Sequence, residues 1–426
     1  MRTRLTALVV IGLIVTVAGT APRGSGSRAP AQGWVSHGPP GGDIADILAA
    51  PDDPERLYAV IRSENGQVFI SQDSGQSWTR LTTFSEPVYS MAIDPSDPSV
   101  MYVLGKEAVW KTADGGAGWT RGVFASSWYG EDGEIAVHPL DPQLVFATGY
   151  QLYEAPVSGA SGAAFFKSVD GGESWSSLCL DRDHARGQGL GLAVNPLDAG
   201  EIFIAGYETD SNIRSGRLYK SGDGGTTWTD LAGSWEFAAE DVLVDPVQPA
   251  TVLVATPWCL LRSTDGALTW TSLLGGKIFH TLTADPLSPN TFYAGGDNVL
   301  WRSVDGGVNW TDIQLGYVGT CQALLARGQV LYYGSPVGIW KSPNSGMVWE
   351  FSQNGLNAAN VQTVLAAPTL SQVAYAVSDR SIVMRTVDGG ESWALASRFA
   401  PRSLEQIVIH PTNPNVLYAI TSCGET

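Results

Sequence analysis

Carboxylates set beside aromatic rings gather in the stretch from residue 128 to residue 241. Trp128, Tyr129, Glu131, Asp132 and Glu134 come first, followed by Tyr150, Tyr153 and Glu154. Asp181, Asp183, Tyr207, Glu208 and Asp210 continue the series, and Trp235, Glu236, Glu240 and Asp241 end it. Ring faces stack on the C–H faces of sugars and acids accept bonds from their hydroxyls, so this composition suits a carbohydrate cleft. Two such acids could also act as proton donor and base or nucleophile in glycoside hydrolysis, provided their separation suits. Glu131 is the candidate catalytic acid of the group. Trp128, Tyr129, Asp132, Tyr153, Asp183, Tyr207, Trp235 and Glu236 are candidate ligand contacts. Long exposed loops are polar and carry acids by default, so the cluster marks a location more firmly than it marks any one residue.

Other chemistries find less support. Gly187-Gln188-Gly189-Leu190-Gly191 precedes a strand instead of joining a strand to a helix, which is the wrong setting for a phosphate. The five histidines are scattered, with His138 and His410 each before a proline in a turn, and no pair has metal-ligand spacing. Neither a cofactor nor a metal is implied.

What must position these residues is a repeat. Lys167-Ser168-Val169-Asp170-Gly171-Gly172-Glu173-Ser174-Trp175 has eight close copies, ending in Trp78, Trp119, Trp175, Trp228, Trp270, Trp310, Trp349 and Trp393. Five residues before each Trp stands Asp73, Asp114, Asp170, Asp223, Asp265, Asp305, Asn344 or Asp388. Repetition at this spacing signals a stacked or radial array. Two before each Ser or Thr lies an apolar residue (Phe69, Trp110, Phe166, Tyr219, Leu261, Trp301, Trp340, Met384), mostly followed by Lys or Arg. That alternation reads as a half-buried strand. The Asp-Gly-Gly run then makes a hairpin turn and the Trp opens the returning strand. Burying an indole of ~200 Å² at ~25 cal/mol per Å² gives an upper estimate of about 5 kcal/mol per repeat. The eight Asp and Trp sets are therefore structural.

Before each turn motif come two apolar strands around a proline turn, as in Ile47-Leu48-Ala49 to Leu57-Tyr58-Ala59 and Met91-Ala92-Ile93 to Met101-Tyr102-Val103. Each unit thus holds four antiparallel strands, and radial repetition of such units makes an all-β propeller. Eight units are complete and a ninth supplies two strands. The expectation is a single ring of eight or nine blades, which a strand at Trp34-Val35-Ser36 could fasten, with a broken tandem propeller as the competitor. Strand direction puts the proline turns and box hairpins on one face. The opposite face carries the long insertions of units three and four, where box spacing stretches, and the pocket belongs there.

The motif Ser/Thr-x-Asp-x-Gly-x-x-Trp resembles the Asp-box, the repeat shared by sialidases, xyloglucan-degrading glycosidases, sortilin-type receptors and photosystem II assembly-factor propellers. The resemblance covers nearly all of the chain after residue 33 and implies the propeller fold, while a motif spread over so many activities singles out none. Sialidases use an early Arg-Ile-Pro, which this sequence lacks. Xyloglucan-degrading relatives clamp substrate between two propellers with an Asp from each. Gly41-Gly42-Asp43-Ile44-Ala45-Asp46 is loosely similar to their Gly-rich approach to the first blade, making Asp43 and Asp46 further catalytic candidates.

Residues 1–21 read as a secretory signal peptide, residues 22–32 as a flexible linker and residues 33–426 as the propeller, C-terminal truncation being possible. The formal net charge of −17 argues against nucleic acid or an anionic membrane as partner. No membrane span is expected once the signal is removed. Cys179, Cys259, Cys321 and Cys423 form disulfides in an oxidising exterior or remain small free residues in a reducing one. Two functions from different classes follow: an exported module binding an extracellular protein or polysaccharide through its loop face, or a glycoside hydrolase using paired carboxylates there. The even repetition favours binding.

Overall fold

The computed structural model describes residues 42–122, 128–152, 161–180, 186–210, 213–231, 235, 237–297, 299–315, 320–336 and 338–352, and most of 361–421 in shorter stretches. All of them fall in the compact unit His37–Thr426. Among them every regular element is a strand. The first blade is typical: Asp43–Ala49, Leu57–Arg62, Gln67–Ser71 and Thr79–Thr83 pair in chain order, each antiparallel to the next. The paired apolar strands fall in the register that their patterns require, with Ile47 opposite Ala59, Met91 opposite Val103 and Val242 opposite Val254.

The box turn shows why its residues are fixed. In the third unit the Ser168 hydroxyl donates to Asp170 at 2.7 Å and accepts the Gly172 amide at 2.7 Å. Asp170 then accepts the Ser174 amide at 2.8 Å and the Ser174 hydroxyl at 2.5 Å. Gly172 lies at φ 85°, where a side chain is strained. A Cβ there would also come within 2.7 Å of the Tyr102 ring from the preceding blade. Tyr102 in turn donates its hydroxyl to Gly171 O at 2.8 Å, so one small residue serves both the turn and the seam between blades. The box and proline turns share a face, as expected: Gly171 N bonds Gln143 O and Gly266 N bonds Ala250 O.

The basic residues before the boxes clasp one blade to the next. Lys167 Nζ donates to Gly224 O at 2.7 Å, Lys220 Nζ to Gly266 O at 3.0 Å, and Arg262 Nε to Gly306 O at 2.8 Å. Each bond crosses to the box turn of the following unit, which is why these cations recur evenly and gather into no patch.

The ring does not take the eight or nine blades expected. The innermost strands Asp43–Ala49, Val88–Ile93, Ile135–Val137, Arg186–Val194, Asp241–Val244, Phe279–Ala284 and Ala323–Arg327 touch one another in that order, and the seventh touches the first. Buried Ala323, Tyr332 and Ile339 join Ile44, Ile47, Phe69 and Trp78 in one core. Tyr332 donates to Ser74 O at 2.8 Å, the same clasp that Tyr102 makes, and the Trp78 indole donates to Ser352 Oγ at 3.4 Å. The cycle closes because the seventh unit's faces complement the first unit's. The seventh sheet also has four strands of its own, so no N-terminal strand is needed to fasten it; Trp34-Val35-Ser36 lies outside the described residues. The eighth sheet packs instead on the two-stranded ninth, sharing the core of Tyr375, Val377, Val383 and Ile407, and Tyr375 donates to Pro414 O at 2.7 Å.

Among the described residues, the insertions of units three and four extend strands. Val145–Leu152 and Ser161–Ser168 run eight residues each, and Ile202–Asp210 and Ile213–Ser221 run nine, against four or five for the matching strands of units five and six. Pairing of Ser161 with Arg186 joins these two sheets into one. Gly187 to Gly191 lies within the first strand of the fourth sheet.

Candidate functional site

The seven inner strands surround an axial cavity of about 720 Å³ whose wall includes Asp46, Arg62, Tyr89, Asp132, Glu134, Tyr207, Glu240, Asp241, His280 and Gln322. It contains two different kinds of acid. Deep in the wall, Asp46, Glu134 and Asp241 each reach from one blade to the backbone of the next. Asp46 accepts Met91 N at 3.0 Å, Glu134 accepts Leu192 N at 2.7 Å and Asp241 accepts Leu282 N at 2.7 Å. Burial pushes Asp46 up to about 6 and Asp241 to about 7, against the lowering effect of those amide bonds. Glu134 is raised well above the usual carboxyl range by burial and by the charge of Asp241. Gly191 makes room for this arrangement, since a Cβ there would lie 2.8 Å from the Asp241 Cα and 3.0 Å from its carboxyl. Asp46 is therefore a brace between the first two blades.

At the mouth, on the face opposite the boxes, the first three blades assemble a second set. The turn Gly130-Glu131-Asp132-Gly133 presents both acids, with Gly133 N bonded to Gly130 O at 3.1 Å. Its glycines are required by close approach: a Cβ on Gly133 would meet Thr148 O at 2.1 Å, and one on Gly130 would meet Gly105 O at 2.5 Å. Asp132 itself sits at φ 58°, a strained position for a residue with a side chain. It is held by Arg62, whose Nη1 lies 2.8 Å from its carboxylate. The same guanidinium stands 5.0 Å from the centre of the Tyr89 ring. The Tyr150 hydroxyl donates to Glu131 at 3.4 Å, and Tyr129 stacks on Tyr150 with ring centres 5.3 Å apart. Asp43 completes the group. Burial raises its pKa, opposed by the Arg62 charge and a hydrogen bond from Gln322, and its Oδ1 is a buried atom that finds no donor among the described residues.

Sequence candidates Asp43, Glu131, Asp132 and Tyr129 thus come together, around Arg62 and Tyr89, which the sequence left unmarked. Tyr207 reaches the cavity wall from the long strand of unit four. Trp235 does not face an open groove. It is partly buried in the core of the fourth and fifth blades, edge-on to Trp270 with ring centres 5.5 Å apart. Trp128 belongs to a two-residue strand beside Gln151, and its side chain lies outside the described residues, as do Tyr153, Asp183 and Glu236. Cys179, Cys259 and Cys321 are buried, and Cys423 is outside the described residues. Cys259 and Cys321 are thiols with no disulfide.

A further cluster lines the mouth on the fifth and sixth blades. His280 Nδ1 bonds Glu240, and its Nε2 bonds Asp297 Oδ1 at 3.1 Å. Thr320 donates to the same Asp297 oxygen at 2.7 Å. Burial opposes charge on the ring, but the hydrogen bonds to Asp297 and Glu240 outweigh it and raise His280 to about 9, so it is an imidazolium at neutral pH. Nothing in the sequence spacing brings Glu240, His280, Asp297 and Thr320 together; packing of successive blades does.

Comparison with known proteins places this architecture. A family profile described as sortilin, neurotensin receptor 3, matches residues 66–178. A probable oligoxyloglucan-reducing end-specific xyloglucanase of Neosartorya fischeri is 26% identical over 216 residues, 45% of this chain and 24% of that protein. A xyloglucanase of Paenibacillus sp is 26% identical over 230 residues, 46% of this chain and 21% of its own length. The match therefore spans about a quarter of the curated relatives. Among solved structures, a GH74 enzyme of Niastella koreensis superposes with a TM-score of 0.59 at 16% identity, covering 90% of this chain and 70% of that one. YCF48 from Cyanidioschyzon merolae gives 0.52 at 16% identity, over 71% of this chain and 96% of that one. These likenesses show the fold.

Proposed function

Since the chain is an Asp-box repeat β-propeller, resembling those of sortilin and xyloglucanase type, we propose that it acts on polysaccharide as a glycoside hydrolase, at the mouth of the axial cavity. The observation that carries the reading is Asp43, a carboxyl whose pKa burial raises, set beside Asp132 in its pair with Arg62. A carboxyl raised by burial, with a second acid at the same mouth, suits the proton-donor role of an acid and base pair. Asp43 is the proton donor to the leaving glycosidic oxygen. Glu131, at the same mouth, is the base or nucleophile, and Tyr129 with Tyr150 offers a stacking face for a sugar ring. Arg62 holds Asp132 and so fixes the turn that carries Glu131. The matches to proteins named xyloglucanases support a β-glucan backbone as substrate.

We also assign residues 1–21 to export and the eighth and ninth sheets to a second ring, consistent with their packing on each other. A second reading, binding without turnover, is favoured by one feature: the mouth carboxylates Asp132 and Asp297 are already engaged by Arg62 and His280.

Reducing-sugar release from xyloglucan and mixed-linkage β-glucan by residues 33–426 tests the choice. Release that Asp43→Asn and Glu131→Gln each lower by about 10²–10⁴-fold is expected of an acid and a base. Retention of polysaccharide with no release would leave the binding reading, and neither retention nor release would remove both.

A further inference from the structure

The loop face carries a second aromatic surface, away from Tyr129 and Tyr150. Phe237 and Trp258 stack with ring centres 5.9 Å apart and planes 16° from parallel. They are nevertheless 37% and 55% exposed, and Ile278, two residues past the Gly276 that Trp258 O holds, is 40% exposed. An exposed pair of stacked rings needs a reason, because large apolar surface is ordinarily hidden or used.

The pair is held rigidly. Trp258 N donates to Thr256 Oγ1 at 3.2 Å, and Trp258 O accepts Gly276 N at 2.8 Å. Phe279 N donates to Thr256 O at 3.0 Å, which ties the turn to the next blade. On the other side, the Phe237 loop is clamped where Ala239 N bonds Gly206 O at 3.0 Å. A rigid ring loses little entropy when a ligand settles on it.

The Phe237 segment, and the segment from Gly276 that Trp258 O holds, both run into the cavity wall. Three residues after Phe237 comes Glu240, and two after Ile278 comes His280, and these two bond each other. The apolar platform is thus continuous with a patch of hydroxyl and carboxylate groups made by Glu240, Asp297 and Thr320. The one imidazolium of the patch is spent on its two carboxylates. With the chain at −17 overall, an anionic chain is disfavoured here and a neutral one is not.

We propose that Trp258, backed by Phe237, is a stacking subsite for a pyranose ring of a neutral glucan, with Glu240, Asp297 and Thr320 facing the hydroxyls of the sugars that continue toward the cavity mouth. The inference rests on the polysaccharide reading above and extends the contact surface from the first three blades to the fifth and sixth. Trp258 takes no part in bond cleavage; it holds the chain.

Affinity electrophoresis and calorimetry on xyloglucan, mixed-linkage β-glucan and polygalacturonate, with Trp258→Ala, Trp258→Phe and Phe237→Ala proteins, test it. Wild-type protein is expected to bind the two glucans and not polygalacturonate. Trp258→Ala should weaken that binding about three- to tenfold, as loss of one stacked ring implies, and Trp258→Phe should restore most of it. If sugar is released, Trp258→Ala should raise KM for long chains with kcat unchanged. Wild-type binding or release that Trp258→Ala leaves intact would overturn the subsite while the polysaccharide reading stands. Equal binding of polygalacturonate would also overturn it. Neither binding nor release of any glycan by wild-type protein would overturn both, and self-association abolished by Trp258→Ala in that case would assign the platform to a protein contact.

Discussion

Single acids in this protein take opposite states according to what surrounds them. In the box turns, hydrogen bonds from Ser174 and Ser168 hold Asp170 at about 2, and those from Thr227 hold Asp223 at about 2. Their folded values are depressed, so their contribution is present above the ordinary carboxyl range and is lost as pH falls toward 2. Asp46 and Asp241 are raised, so what they contribute is complete below about pH 4 and is lost as pH rises through about 6 and 7. Calorimetric Tm is therefore expected to peak near pH 4 and to decline from there to about pH 7. Asp241→Asn should flatten that decline, and an unchanged slope would remove the axial acids as its cause. His280, raised from 6.5 to about 9, adds a second decline that runs between those two values. The boxes also explain their own exception. Where the residue four after the acid is Ser77, Ser174, Thr227 or Thr269, its hydroxyl uses the second carboxylate oxygen. At Asn344 that residue is Val348, which offers only its amide, at 2.8 Å from Asn344 Oδ1, and an amide side chain suffices. Asn344→Asp should accordingly leave the Tm near its wild-type value at neutral pH.

At the scale of the element, seams between blades rest on a few repeated bonds over an apolar face. Lys220 donates to Gly266 O at 3.0 Å and pairs with Glu201 at 2.7 Å. Lys220→Met keeps the stem and removes both, and should cost about 1–2 kcal/mol by urea unfolding. Much of this level could be read in the chain. The strands, their order within a unit and the shared face of box and proline turns follow from alternation and turn residues alone. The cations before the boxes were visible as a pattern, but their purpose was not, because the acceptor is a carbonyl some 45 residues further on, as from Lys220 to Gly266. The long spacing in units three and four was visible too, yet the pattern could not separate loop from extended strand. Lengthened hairpins such as Val145–Leu152 with Ser161–Ser168 carry the same polar and small residues on strands that rise beyond the core.

For the whole molecule, the decisive contact is between the first and seventh sheets. Trp78, 2% exposed, sits at that closure. Trp78→Ala should cost about 3–5 kcal/mol, more than a seam residue, because it opens a cavity where the ring shuts. Residues 37–352 should unfold cooperatively on their own in urea, since every seam of the cycle is made within them. A broad or absent transition for that fragment would mean that the eighth and ninth sheets are needed for closure. The functional surface belongs to this scale as well, for the cavity takes its wall from all seven inner strands.

The sequence by itself determined the blade. Its strands, hairpins and anchoring Trp residues depend on neighbours within about ten positions, and such short-range dependence leaves a periodic trace. Tertiary structure decided the rest. Ring size is set by how the faces of distant units fit, so Ile339 meeting Ile44 has no local signature. The site is likewise a product of blade packing: Asp43 and Arg62 of the first blade meet Asp132 of the third, and His280 and Asp297 of the sixth meet Glu240 of the fifth, where inner ends converge on one axis. Acids that look alike along the chain become brace, ion pair or buried carboxyl with a raised pKa according to depth along that axis, because burial and the neighbouring blade's donors differ there.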